Sequence, residues 1–170
     1  MKLSKFLAAM TTLGALTVSA DRSVMAGASV TNLPVNVTVT SNCTITATAV
    51  AFPAYDPVGT HASTPDDTSS GAVIVACTKG VTASIGLGFG QNATASPRNM
   101  KSSAGDLLPY DLYKDAPGGA IWGNAGTAML STGAALTKAA RTFTVYGRIP
   151  SGRDVPATTY SDTVVATVNF

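Results

Sequence analysis

Hydrophobic positions along the chain recur every second residue far more often than every third or fourth. The plainest run is Leu33-Pro34-Val35-Asn36-Val37-Thr38-Val39-Thr40, in which odd positions are apolar and even ones polar or proline. Cys43, Ile45 and Ala47 keep the same parity. Such alternation puts one set of side chains on one face of an extended strand. The stretch is much longer than the usual strand of about 5–6 residues, so it predicts two strands' worth of work, divided near Ser41-Asn42. A compact apolar strand is predicted over residues 72–77, after a polar loop at 61–71, and alternation resumes over 81–89. Residues 91–105 read as polar loop. Short strands follow at 107–113 and 120–122, on either side of the breaker Pro117-Gly118-Gly119, and 127–136 is weakly patterned. The last two strands fall at 141–149 and 160–170, and in the second Val164, Ala166, Val168 and Phe170 share one face. About seven short strands separated by turn signals predict an all-β sandwich.

Composition supports that class. The chain has 24 Thr and 15 Ser, six Lys and no Glu. Thr, Ser and Gly fill strands and turns, whereas Glu and Lys fill exposed helix faces, so a helical bundle is excluded. With 45% hydrophobic and 12% charged residues, disorder is excluded as well. A length of 170 residues suits one domain with a sizeable core.

The formal charge of +2 disappears on a closer look at the N-terminus. Lys2 and Lys5 precede an apolar stretch at residues 6–18, and Val18-Ser19-Ala20 is a small-residue cleavage site, so residues 1–20 read as a secretory signal. Val24-Met25-Ala26 offers an alternative site, with cleavage after residue 26. The apolar stretch is shorter than the roughly 20 residues needed to span a bilayer. Removing Lys2 and Lys5 leaves nine basic residues against nine Asp. The basic excess belongs to export, and no nucleic-acid partner is expected. Export to an oxidising compartment makes Cys43 and Cys77, the two cysteines of the chain, a predicted disulfide. On the chain-entropy model, closing a loop of that length stabilises the fold by roughly 3–4 kcal/mol.

Candidate chemistry is sparse. His61, the single histidine, sits in a polar loop without a companion signature for a nucleophilic triad. One His and a paired Cys set exclude a zinc site of the usual kind. Asp66-Asp67 lacks the spaced oxygen ligands and glycine of a calcium loop. Gly86-Leu87-Gly88-Phe89-Gly90 is G-x-G-x-G with no helix following, so its glycines are better suited to clearing one strand face for a close backbone than to cradling a phosphate. Asp111 and Asp115 could be read as a hydrolytic carboxylate pair, but nothing around them suggests a sugar cleft. The expectation is no catalytic residue, no cofactor, no metal and no small-molecule substrate.

A set of short motifs runs along almost the whole chain after the signal: Cys43-Thr44-Ile45, Phe52-Pro53-Ala54-Tyr55, Cys77-Thr78-Lys79-Gly80, Arg98-Asn99-Met100, Leu108-Pro109-Tyr110-Asp111-Leu112-Tyr113, Ile121-Trp122-Gly123, Val145-Tyr146-Gly147-Arg148-Ile149-Pro150 and Tyr160-Ser161-Asp162-Thr163-Val164. In content and order it resembles the spore coat protein U domain family, which includes subunits of Csu-type, or archaic, chaperone–usher pili. The chain departs from the common pattern at Phe52-Pro53, where many members have Phe-Gly, and at Thr158-Thr159, where many have a glycine before the tyrosine. Both departures concern turns.

The resemblance implies an incomplete immunoglobulin-like β-sandwich that lacks its last strand and is completed by a strand from a periplasmic chaperone or a neighbouring subunit. The residues themselves agree, since a sandwich ending at Phe170 would leave unpaired edges and an open apolar groove. Pattern alone leaves open whether Leu33, Val35, Val37 and Val39 form the first strand of their own sandwich or a strand given to a neighbour. The resemblance implies donation. Residues 1–20 are then the signal, 21–40 an N-terminal donor extension and 41–170 the pilin domain, with Val164, Ala166, Val168 and Phe170 lining the acceptor groove. The expected partners are further copies head to tail, the chaperone, an outer-membrane usher and a tip subunit. The expected setting is a cell-surface pilus serving attachment and biofilm formation; the alternative is a secreted spore-coat-like or matrix protein.

Overall fold

The computed structural model describes residues 26–170; the expected signal, residues 1–20, lies outside them. The chain divides into two units between Val37 and Thr38. Of the first, residues 26–37 carry no regular secondary structure. The second, Thr38–Phe170, holds eight strands: β1 (Cys43–Thr48), β2 (Asp66–Cys77), β3 (Thr82–Leu87), β4 (Arg98–Lys101), β5 (Leu107–Tyr113), β6 (Leu130–Ala134), β7 (Arg141–Ile149) and β8 (Ala166–Asn169). No helix among the described residues is long and apolar enough to cross a membrane.

The strands form an antiparallel five-stranded sheet in the order β1-β2-β7-β5-β4 and a three-stranded sheet in the order β6-β3-β8. Alternation decides which side chains meet between them. On β2, Val73, Val75 and Cys77 point inward, and on β7 Val145 and Ile149 do so. They join Ile85 and Leu87 of β3, Leu108, Tyr110 and Leu112 of β5, and Trp122 in one buried cluster. Cys43 opens β1 opposite Cys77 at the end of β2, and the two are disulfide-bonded. Gly147 on β7 lies under the Phe52 ring, where a Cβ would come within 2.6 Å of it. Phe52 in turn meets Tyr110 edge to face, with ring centroids 6.2 Å apart.

Strands β5 and β7 follow the sequence pattern closely, and five other stretches differ from it, one being 120–122, where Ile121 makes a single bridge to Tyr113 in place of a strand. Within residues 33–47 only the part from Cys43 onward is strand. β2 begins at Asp66, inside the stretch expected to be loop, because its polar first half pairs with β7 through a bulge between Thr68 and Gly71. β4 lies within the expected loop at 91–105. β8 is confined to four residues, and of the preceding stretch Ser161 makes a single bridge to Lys101.

Candidate functional site

β1 and β8 end their respective sheets, and each is paired on one side only. Between these edges opens a cavity of about 470 Å3. Ala47 and Thr48 of β1 form one wall, Ala166 of β8 and Val164 just before it the other, and the side chains of Val73, Leu87, Leu112 and Val145 reach it from the core. A second cavity of about 430 Å3 adjoins it, walled by Pro53, Tyr55, Leu108, Ile149 and Val155. Val50, Phe52, Met100 and Tyr160 border both. The first cavity is mainly apolar, with Thr48, Ser161, Asp162 and Thr163 also in its lining, and the second is more evenly mixed. The free strand edges beside them offer backbone N–H and C=O groups to an added strand.

The segment leading into β8 is held by a side chain as well as by strand pairing. Asp162 accepts hydrogen bonds at Oδ2 from the Tyr110 hydroxyl (2.8 Å), and at Oδ1 from the backbone N–H of Gln91 (2.9 Å) and Thr163 (2.8 Å) and from Asn92 Nδ2 (3.1 Å). Gly90 allows this approach: it has φ +82°, and a Cβ there would collide with the Asp162 carboxylate. Burial pushes the Tyr110 phenol up, and the hydrogen bond to Asp162 adds to the shift, so Tyr110 stays a donor.

Arg98, on β4, is fully buried. Its guanidinium pairs with Asp111 (3.1 Å) and donates to the carbonyls of Gly88 (2.8 Å), Leu87 (3.1 Å) and Trp122 (2.6 Å). Phe89 lies under it, 5.4 Å from the ring centroid. Trp122 Nε1 donates to the Ile85 carbonyl at 2.8 Å. One arginine thus joins β4 and β5 of the large sheet to the end of β3 in the small one. Burial lowers the Arg98 pKa while Asp111 raises it, and the planar fork finds acceptors in three directions.

Of the residues expected to form the site, Val164 and Ala166 line the cavity. Val168 packs against the core farther along β8, and Phe170 is 58% exposed; neither lines the cavity. Leu33, Val35, Val37 and Val39 are 84%, 85%, 88% and 75% exposed. The residues weighed for chemistry are otherwise engaged. Asp111 is held by Arg98 and Ser96, while Asp115 accepts from the N–H groups of Ala116 and Ala120 in a turn. His61 stacks on Tyr55, and its Nδ1 accepts from the Asp56 N–H. Asp67 forms a two-pronged pair with Arg148, whereas Asp66 is buried with Oδ2 unpartnered. A Cβ on Gly86 would come within 3.1 Å of the Asn124 backbone, and Gly88 N–H donates to Val165 O at 2.9 Å. Among the described residues no group of three or more His, Cys, Asp or Glu could hold a metal ion.

Arg98 and Asp162 both stand within the sequence motifs, where the pattern alone assigns neither a role. Their signal was faint: each is one of few charged residues in a chain that is only 12% charged, set next to apolar strands.

Two antiparallel sheets around one core, with an apolar cavity left open between two edge strands, define an incomplete immunoglobulin-like β-sandwich. Residues 29–167 match the Spore Coat Protein U domain, and the chain belongs to that family. It is 38% identical over 128 residues to Protein U of Myxococcus xanthus, an alignment covering 70% of each chain. Its fold is similar to a chain in the crystal structure of the CsuC–CsuE chaperone–tip adhesion subunit pre-assembly complex from the archaic chaperone–usher Csu pili of Acinetobacter baumannii. That likeness has a TM-score of 0.54 and 25% identity, and it covers 78% of this chain and 41% of the other.

Proposed function

We propose that this chain is a structural subunit of a chaperone–usher pilus that polymerises by donor-strand exchange. The observation that carries the reading is the pairing of an open apolar cavity with a strand-length alternation in the same chain. The cavity lies between β1 and β8, and the alternation is Leu33, Val35, Val37 and Val39. These four residues of one copy enter the cavity of the next, and the free edges of β1 and β8 supply main-chain hydrogen bonds. Full burial of four aliphatic side chains is worth roughly 6–12 kcal/mol before ordering costs. The contact is head to tail and does not close on itself, so it propagates a filament.

Before assembly a periplasmic chaperone covers the same cavity, and an outer-membrane usher is where the exchange takes place. The similarity to a chain from a chaperone–subunit complex supports the chaperone as a partner. The signal at residues 1–20, cleaved there or after residue 26, routes the chain to the periplasm and then to the surface. The filament serves attachment and biofilm formation, and a tip subunit caps it. A second reading, a secreted coat or matrix layer built on the same domain, is favoured by the Spore Coat Protein U match. Negative-stain microscopy of the periplasmic protein with and without residues 27–40 tests both. Filaments that vanish on deletion are expected. Sheets or amorphous layers would favour the coat, and compact monomers from both forms would overturn strand donation.

A further inference from the structure

The alternation that suits residues 33–39 to a neighbour's cavity suits them equally to their own. A hairpin looping through Thr40-Ser41-Asn42 would set Val39 opposite Cys43, Val37 opposite Ile45 and Val35 opposite Ala47. Three-residue loops are common hairpin connections. Residues directly opposite in an antiparallel pair share a face, and Cys43 and Ile45 already pack against the core. Folding back would therefore cover the free edge of β1 from within the same chain. A segment tethered this closely acts at an effective concentration in the mM range, above that of a free neighbour. Polymerisation requires that this competitor be held off.

The required restraint lies beside β1. Thr78, directly after β2, donates its N–H to Asn42 O at 2.9 Å. Its Oγ1 accepts from Asn42 N–H at 3.1 Å and donates to Thr40 O at 3.2 Å. These bonds fasten residues 40–42 toward β2, on the side of β1 away from its free edge. The adjacent Cys43–Cys77 disulfide locks the register of that pairing. A reversal toward the free edge would carry Thr40 away from Thr78 and break the bond to its carbonyl, and it would strain the Asn42 bonds next to it. We infer that Thr78, braced by the disulfide, is a clamp that bars residues 33–39 from their own subunit and reserves them for a second copy. The clamp rests on the donor-strand reading above, and it makes Thr78 a positioning residue for assembly.

The test is uptake of a fluorescent synthetic peptide of residues 27–42 by the refolded mature chain. Thr78→Val removes both hydroxyl bonds and keeps the amide bond, so the balance moves toward the hairpin by roughly 5–30-fold. Thr78→Val is expected to take up peptide more slowly than wild type by that factor. Adding Val35→Asp and Val37→Asp to Thr78→Val disables the internal competitor and restores uptake, and Thr78→Ser behaves as wild type. Equal uptake by Thr78→Val and wild type overturns the clamp and leaves strand donation standing. Slow uptake that the aspartates do not restore means a damaged cavity, which also overturns it. Wild type that binds only after Val35→Asp and Val37→Asp already holds its own segment, and the clamp is again overturned. No uptake by wild type or by that double variant would instead overturn strand donation.

Discussion

Replacing Arg98 by Ala should be among the most destabilising single changes in this chain. The guanidinium is fully buried and gathers Asp111 and three backbone carbonyls, those of Leu87, Gly88 and Trp122. Removing one partner of a buried ion pair strands the other charge in the interior, at a cost of about 3–5 kcal/mol. Carbonyls left without a donor add about 1–3 kcal/mol each unless water enters the vacated space. Taking the ion pair alone, the loss is a large part of the roughly 5–15 kcal/mol that holds an ordinary domain together. Urea unfolding of the purified, disulfide-intact chain, followed by tryptophan fluorescence, reads the loss directly. Trp122 is the single tryptophan, and its carbonyl is one of the acceptors. Arg98→Met combined with Asp111→Leu should cost clearly less than the two single changes summed, because neither charge is then stranded. An Arg98→Ala protein within about 1 kcal/mol of wild type would refute the claim that this buried arginine ties the two sheets together.

Two further perturbations probe other parts of the molecule. Val35→Asp or Val37→Asp should stop filament formation and leave chaperone binding intact, since a carboxylate entering an apolar cavity must lose its water; co-purification with the chaperone and microscopy read the two effects, and normal filaments from both would discard the assignment. Burial raises the Asp66 carboxyl above its ordinary value of 3.8, so the folded chain holds that proton more tightly than the unfolded one. The burial penalty is therefore fully present above the raised pKa and fades as pH falls toward 3.8. Asp66→Asn should raise the melting temperature at neutral pH and lose that advantage in acid; a gain independent of pH would show that charge is not the cause.

How much of this was legible in the sequence depends on whether a residue's neighbours or its distant partners decide its place. β5 and β7 could be read because alternation and flanking breakers coincide there. β4 was hidden, since its side chains are Arg98, Asn99, Met100 and Lys101 and the most buried of them is a charge satisfied by β5, the end of β3 and two loops. The first half of β2 was hidden for a related reason: Asp66-Asp67-Thr68-Ser69-Ser70 looks like loop, yet a backbone ladder with β7 needs no apolar side chains. The disulfide was legible from count and compartment alone. The apolar face of residues 33–39 was equally plain, but periodicity cannot say whose core such a face is meant for. Val164 and Ala166 were placed by alternation, whereas Asp162, which holds their segment in position, acts through residues 52–71 positions away.

The Asp162 junction has a thermodynamic consequence. β8 is four residues long, and a wall hung on so short a ladder would ordinarily fray. Here Tyr110, Gln91, Asn92 and Thr163 converge on one carboxylate, so the wall is ordered when the subunit itself folds. A strand donated as proposed would then meet a surface whose conformational entropy has already been given up, and more of the burial energy would remain as affinity. Preorganisation of this kind should show as slow amide exchange at Gln91 and Thr163, two residues outside every strand.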